Sequence, residues 1–222
     1  MRGIVFIGGL GPGAGQCRVL SRGADLIAAA DSGLIAAEDA GIYPDWIVGD
    51  MDSLTDLGRL KKYPEERILR YPEDKDYTDT ELALRLLWDK GCDETWLLGG
   101  GGGRVDHLFA IRSLFERDPS PDRWITAEDD IHAVTGTLSQ ELPPGSLVSV
   151  FPLGAGPWKV ESRGLRWPLD DLSWAPGFFG ISNIAYEGPF SLRVTKGRFL
   201  VILPQELVRN VPLLASSPSD PR

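Results

Sequence analysis

Asp50 and Asp52 stand two residues apart in Gly49-Asp50-Met51-Asp52-Ser53, so in an extended segment both carboxylates point to the same side. Two such charges about 4 Å apart repel by about 1 kcal/mol in water and about 4 kcal/mol at an effective dielectric near 20. A second acidic segment, Asp74-Lys75-Asp76-Tyr77-Thr78-Asp79, adds to the repulsion if it meets the first. A hard cation removes that difficulty. Oxygen ligands without His or Cys suit magnesium, which keeps several waters and bridges a few carboxylates to substrate phosphates. Taken singly, each aspartate is equally well explained as a turn or helix cap. Asp79 fits the first turn of a helix opened by the capping box Thr78-Asp79-Thr80-Glu81. The set as a whole favours a metal.

Beside the acids are two glycine runs. Gly99–Gly103 leads into Arg104-Val105-Asp106-His107, where bare backbone can approach a ligand, helix N–H groups can meet phosphate oxygens, and Arg104 supplies a forked cation. The earlier run, Gly8 to Gly15, contains Gly9-x-Gly11-x-x-Ala14, with Asp31 17 residues after Ala14. That is a loose dinucleotide fingerprint with Pro12 inside the turn, and it keeps a dinucleotide-dependent oxidoreductase open as a rival. The chain has no Gly-Lys-Ser/Thr phosphate loop, no Gly-x-Ser-x-Gly elbow and no convincing Cys/His pair. His107 and His132 are the only histidines, and His107 is given a supporting role beside the helix start.

The elements that must carry these groups read as α/β over residues 1–130. Apolar runs at Ile4–Ile7, Leu26–Ala30, Trp46–Val48, Ile68–Tyr71, Trp96–Leu98 and Trp124–Thr126 alternate with helix candidates Leu34–Ala40, Asp79–Lys90 and Val105–Arg117. This is the pattern of a Rossmann-like parallel sheet. Asp31-Ser32-Gly33, the Asp50/Asp52 segment, the Asp74–Asp79 segment and Gly99–Gly103 each follow a strand, and the carboxyl ends of such strands share one ligand-binding edge. After Asp130 the texture changes to short β segments such as Leu147–Phe151, Leu192–Thr195 and Phe199–Leu203. Residues 131–215 therefore read as a smaller all-β sandwich domain, and 216–222, rich in Ser and Pro, as a disordered tail.

Composition excludes several classes. Hydrophobic residues at 42% and charged residues at 25% of 222 describe a folded, soluble chain. With 32 Asp+Glu against 23 Lys+Arg the net charge is -9, which disfavours nucleic acid and anionic membranes as partners. Cys17 and Cys92 show neither a zinc nor a disulfide pattern. The first apolar stretch is too short for a signal peptide or a membrane span, so a cytoplasmic address is expected.

In their order along the chain, Pro44-Asp45-Trp46-Ile47-Val48-Gly49-Asp50-Met51-Asp52-Ser53, Asp74-Lys75-Asp76-Tyr77-Thr78-Asp79 and Gly102-Gly103-Arg104-Val105-Asp106-His107 resemble the thiamine pyrophosphokinase family. Gly164-Leu165-Arg166-Trp167-Pro168-Leu169 and Gly180-Ile181-Ser182-Asn183 are similar to that family's β-domain motifs. The resemblance implies an ATP-binding α/β domain, a β-sandwich, and a homodimer with thiamine pockets between its subunits. It also implies magnesium-assisted transfer of pyrophosphate from ATP to the thiamine hydroxyl, with attack at the β-phosphorus and AMP as the leaving group. Asp50, Asp52, Asp76 and Asp79 would then hold magnesium. Asp31, Ser32, Gly33, Lys75, Gly102, Gly103 and Arg104 would serve ATP. Asp106, His107, Trp167, Ser182 and Asn183 would line the thiamine pocket, with Asp106 orienting or deprotonating the hydroxyl. Because the ATP machinery does not define the acceptor, another hydroxymethyl heterocycle such as a pterin remains an alternative.

Overall fold

Residues 1–205, apart from 55 and 187, are described in a computed structural model; the expected tail at 216–222 lies outside the described residues. The unbroken apolar runs of the first half become central strands because both of their faces are covered. Strands β1 (Arg2–Phe6), β2 (Leu26–Ala30), β3 (Trp46–Gly49), β4 (Ile68–Arg70), β5 (Glu94–Leu98) and β6 (Arg123–Ile125) pair in parallel in the order β4-β3-β2-β1-β5-β6.

Alternation along β1 divides the core. Ile4 and Phe6 pack with Cys17 of helix α1 (Ala14–Leu20) and with Leu34 and Ala37 of α2 (Gly33–Asp39). Val5 and Ile7 face the other way, toward Leu84 and Leu87 of α3 (Asp79–Asp89) and Ile111 of α4 (Val105–Leu114). Burying each fully enclosed Leu, Ile or Phe contributes about 1.5–3 kcal/mol, which makes these two layers the main support of the sheet. Helix α1 was not among the helices expected from sequence. Its seven residues bury only Cys17 and Leu20, too few to show a helical period.

The large sheet continues across residue 130. Strand β7 (Asp129–Val134) turns back antiparallel to β6, and β13 (Arg198–Pro204), β9 (Leu147–Leu153) and β11 (Gly180–Ile184) extend it to ten strands. A three-stranded antiparallel sheet is formed by β10 (Lys159–Arg163), β12 (Phe190–Lys196) and β8 (Thr137–Gln140). A third apolar cluster, with Val148, Val150, Phe190, Leu192 and Phe199, draws side chains from both sheets.

Two arginines tie the halves together. Arg123 grips Asp130 through both carboxylate oxygens at 2.7 and 2.5 Å, across the β6–β7 turn. His132 Nε2 lies 3.0 Å from Asp130 Oδ1 but off the direction of a hydrogen bond. Burial alone would raise the Asp130 pKa, yet Arg123 and His132 outweigh it and hold it down at about 2. Arg198, on β13, donates to the carbonyl of Phe115 at 2.7 Å and to Ser120 Oγ at 3.0 Å, which satisfies a carbonyl left open at the end of α4. No helix among the described residues is long and apolar enough to cross a membrane.

Candidate active site

From β1 the parallel sheet grows to β2 on one side and to β5 on the other, and the loops leaving these strands part at that reversal. Such a switch point opens a crevice at the carboxyl ends of the strands. A cavity of about 630 Å³ lies there. Its walls include Asp31, Ser32, Asp50, Asp52, Lys75, Asp76, Asp79, Gly102, Gly103, Arg104 and His107. All of these except Asp31 and Ser32 come from the three N-terminal motif segments, which the sheet brings to one place.

At its centre three carboxylates converge. Asp31, Asp50 and Asp79 each offer an oxygen within 4.8 Å of the other two. Asp31 sits just past β2 in a left-handed conformation, φ 45°, and its Oδ1 accepts the Met51 N–H at 3.2 Å. The position depends on Gly49, whose φ is 148°. A Cβ there would collide with the Asp31 carboxylate and lie 3.3 Å from the Asp79 carboxyl carbon. Asp79 is delivered by the N-terminus of α3, where Thr78 Oγ1 accepts the Glu81 N–H at 3.3 Å and Glu81 accepts the Thr78 N–H at 3.0 Å. Glu81 is buried and also pairs with Arg117.

The cluster carries more negative charge than its one ammonium balances. Lys75 Nζ donates to Asp50 Oδ2 at 2.7 Å. It also lies 3.2 Å from Asp79 Oδ1, but off the hydrogen-bonding direction, so that buried oxygen gains Coulombic compensation without a hydrogen bond. Burial, together with Asp79, pushes Asp31 up to about 7. The Lys75 hydrogen bond holds Asp50 below the usual carboxylate range, and the Asp50 carboxyl raises Asp52. Proximity, partial burial and an oxygen lacking a donor are the features of a site that accepts a hard divalent cation.

Asp52 and Asp76 line the same cavity but are exposed and stand outside the converging trio. Sequence placed Asp31 with the nucleotide; structure puts it between the two acidic motifs. Gly33 is buried against the Phe6 carbonyl under β1 and is not on the cavity wall. Arg104 and Asp106 form a bidentate pair at 3.1 and 2.5 Å, both exposed at the start of α4. That pairing keeps the Asp106 carboxyl below its usual range. His107 N also donates to Asp106 Oδ1, at 3.1 Å.

Asp106, in the chain between the cavity-lining Arg104 and His107, does not itself line the wall, and the remaining three expected residues lie elsewhere. Asn183 is buried, and its carboxamide serves the backbone of Trp167: Nδ2 donates to the Trp167 carbonyl at 2.6 Å and Oδ1 accepts the Trp167 N–H at 3.2 Å. The Trp167 ring is about half exposed. Ser182 is left-handed at φ 57°, with its N–H donating to Ser149 Oγ at 3.2 Å. None of the three lines the cavity.

Sequence reasoning gave no place in this site to Gly8 and Gly9 of the first glycine run, or to Ile111 and Leu114 of α4, all of which line the cavity. Gly49 also went without a role. Its signal was present as a glycine at a strand end directly before Asp-x-Asp.

Two family models match the chain: the thiamin pyrophosphokinase catalytic domain over residues 17–120, and the thiamin pyrophosphokinase vitamin B1 binding domain over 135–198. The thiamine pyrophosphokinase of Bacillus subtilis (strain 168) is 28% identical over 186 residues, spanning 78% of this chain and 84% of that protein. Thiamine pyrophosphokinase 1 of Oryza sativa subsp. japonica is 30% identical over 175 residues, spanning 71% of this chain and 64% of that protein. The crystal structure of the Bacillus subtilis enzyme superposes with a TM-score of 0.76 at 22% identity, over 93% of this chain and 100% of that one, which shows a shared fold. Both family models fall on the chain in succession and together cover more than half of it, so the chain belongs to the thiamin pyrophosphokinase family.

Proposed function

We propose that this protein transfers the pyrophosphoryl group of ATP to the hydroxyl of thiamine, forming thiamine diphosphate and AMP. The observation that carries this is the meeting of Asp31, Asp50, Asp79 and Lys75 beside a glycine loop at the sheet's switch point, within a chain matched by both family models.

Asp50 and Asp79, with Asp31 beside them, would hold a magnesium ion, and Asp52 and Asp76 on the cavity wall would reach it through water. When bound, the ion neutralises phosphate charge and shields the anionic cluster. Lys75 neutralises Asp50 and Asp79 and supplies an ammonium to the phosphates. The Gly102–Gly103 backbone lets the triphosphate approach closely, with Ser32 and Arg104 on the same wall. The thiamine hydroxyl oxygen bonds to the β-phosphorus, the bond from that phosphorus to the α-phosphate's bridging oxygen breaks, and AMP departs. Asp106 orients the hydroxyl and accepts its proton. The exposed Arg104–Asp106 pair opens at little cost, so movement of Arg104 onto a phosphate frees Asp106 for that task.

We assign residues 1–130 to a Rossmann-like ATP domain and 131–205, the described part of the expected 131–215, to a β-sandwich, a division supported by the change from parallel to antiparallel pairing at β7 and by the gap between the two family matches. The working unit is a homodimer. Support comes from the edge strand β11, where Ile181 and the flanking Phe179 and Tyr186 are exposed, and from the absence of Trp167, Ser182 and Asn183 from the cavity wall. A second copy would bring its own Trp167, Ser182 and Asn183 to that wall. A cytoplasmic address accords with ATP as co-substrate and with two buried free cysteines.

The test is incubation of purified protein with ATP, magnesium and thiamine, with a pterin alcohol in a parallel tube. Equal amounts of AMP and thiamine diphosphate are expected. AMP formed only with the pterin would move the acceptor, and no product in either tube would sink the proposal.

A further inference from the structure

The Gly8–Gly15 run was singled out as a loose dinucleotide fingerprint, and pyrophosphoryl transfer gives it no task. Its surroundings do. It leaves β1 on one side of the switch point, while Gly99–Gly103 leaves the neighbouring β5 on the other, and the two loops join through their backbones. Leu10 N–H donates to the Gly101 carbonyl at 2.6 Å, Gly101 N–H returns to the Leu10 carbonyl at 2.9 Å, and Gly100 N–H donates to the Gly8 carbonyl at 2.8 Å. The approach leaves no room for side chains. A Cβ on Gly11 would sit 3.0 Å from Gly99 Cα, and one on Gly9, whose φ is 94°, would sit 3.0 Å from the Gly101 carbonyl oxygen. Ordinary carbon contacts are about 3.5–4.0 Å, and here the neighbours are backbone that cannot rotate away. The Leu10 side chain, 63% exposed, covers Gly102.

With ATP held at this sheet edge as set out above, we propose that Gly9, Leu10 and Gly11 are positioning residues that fix the Gly100–Gly103 backbone against the nucleotide phosphates. In a dinucleotide fingerprint the run's own glycines face the pyrophosphate; here Gly8 and Gly9 reach the cavity wall, but Leu10 and Gly11 do not, and Gly11 faces the second loop. Phosphate contacts therefore belong chiefly to Gly102–Arg104, and the first run sets where they stand. A displacement near 1 Å of a positioning element costs about 10²-fold in rate, so a shift of several tenths of an ångström is enough to be measured.

Gly13 and Gly15 in the same run provide the control. A Cβ on either meets nothing closer than 3.8 Å and 3.9 Å respectively. Gly11→Ala is expected to raise KM for ATP about tenfold while KM for thiamine and the melting temperature stay near wild type. Leu10→Ala, at an exposed side chain, should move KM for ATP in the same direction by about threefold. Gly13→Ala and Gly15→Ala should move neither. An unchanged KM for ATP in folded Gly11→Ala, an equal rise in Gly13→Ala, or an equal rise in KM for thiamine would overturn the proposal. If Gly11→Ala does not fold, Leu10→Ala decides by the same criteria. Binding of a nonhydrolysable ATP analogue to the same variants separates the two levels: an inactive wild type counts against the assigned reaction, whereas equal analogue affinity across the variants counts against the loop device alone.

Discussion

The nucleotide edge and the thiamine-motif region are built in opposite ways. At the first, polar groups from β2, β3, the Lys75–Asp79 segment and α4 converge on one cavity, leaving surplus negative charge and a buried oxygen without a donor. In the second, Asn183 spends its carboxamide on the Trp167 backbone, and the aromatic surface nearby faces outward. On the proposed reading, one chain assembles the phosphate half of a site and stiffens the acceptor half without closing it. That division is what a shared site at a two-fold interface requires.

The largest effect should come from the converging trio. Asp50→Asn is expected to lower kcat by about 10²–10³-fold with the fold retained, since one amide would replace the carboxylate that Lys75 holds and that the proposed cation would share. Asp52→Asn, equally severe by motif alone, should cost less because Asp52 is exposed outside the trio. Steady-state rates with Mn²⁺ binding measured alongside would rank the two, and a reversed order would relocate the ion toward the cavity rim.

The comparison itself can be broken by complementation. In the proposed homodimer, Asp50→Asn and Asn183→Ala should each be inactive as pure dimers. Mixed after co-expression, they should recover about one quarter of wild-type activity, because half the dimers are mixed and one of the two sites in each is intact. No recovery would mean that each chain closes its own acceptor site.

Gly49→Ala should be next. A Cβ there meets Asp31, and the backbone at φ 148° is one that an L side chain rarely adopts. A stability loss of about 1–3 kcal/mol in urea unfolding is expected, with weakened metal binding. Unaltered metal binding would show that Asp31 is not held by that vacancy.

The smallest effect sits at the seam. Asp130, 2% exposed, has its pKa lowered from the usual 3.8 to about 2 in the folded chain. A depressed carboxylate stabilises the fold above its unfolded pKa, and that contribution, about 2 kcal/mol, disappears as pH falls through the folded value. The Asp130 contribution to the urea midpoint should therefore be lost between about pH 4 and 2. Asp130→Asn should flatten that particular drop; an identical acid limb in both proteins would mean that Arg123 does not hold the ionised form.

Local signals made much of this legible. The apolar runs that became β1 to β6, the capping box at Thr78 and the Asp-x-Asp pair each depend on residues a few positions apart, where period and cap chemistry act directly. Likewise the motif segments were enough to point to the family. Helix α1 stayed hidden because so few of its residues are buried, and the passage of the large sheet across residue 130 stayed hidden because composition changes there while the sheet itself runs on through the antiparallel β6–β7 pair.

What the sequence by itself determined, then, is which carboxylates, cations and glycines are available and which strand ends carry them. Only the tertiary structure decided which of them meet. Asp31 joins Asp50 and Asp79 because the parallel order sets the ends of β2 and β3 side by side, the N-terminus of α3 brings Asp79 to them, and Gly49 leaves room for a carboxylate. Gly11 meets Gly99 because β1 and β5 are neighbours although about ninety residues separate the two loops. Contacts of that kind are set by sheet order and steric clearance between distant segments, and neither is written in any local period of the chain.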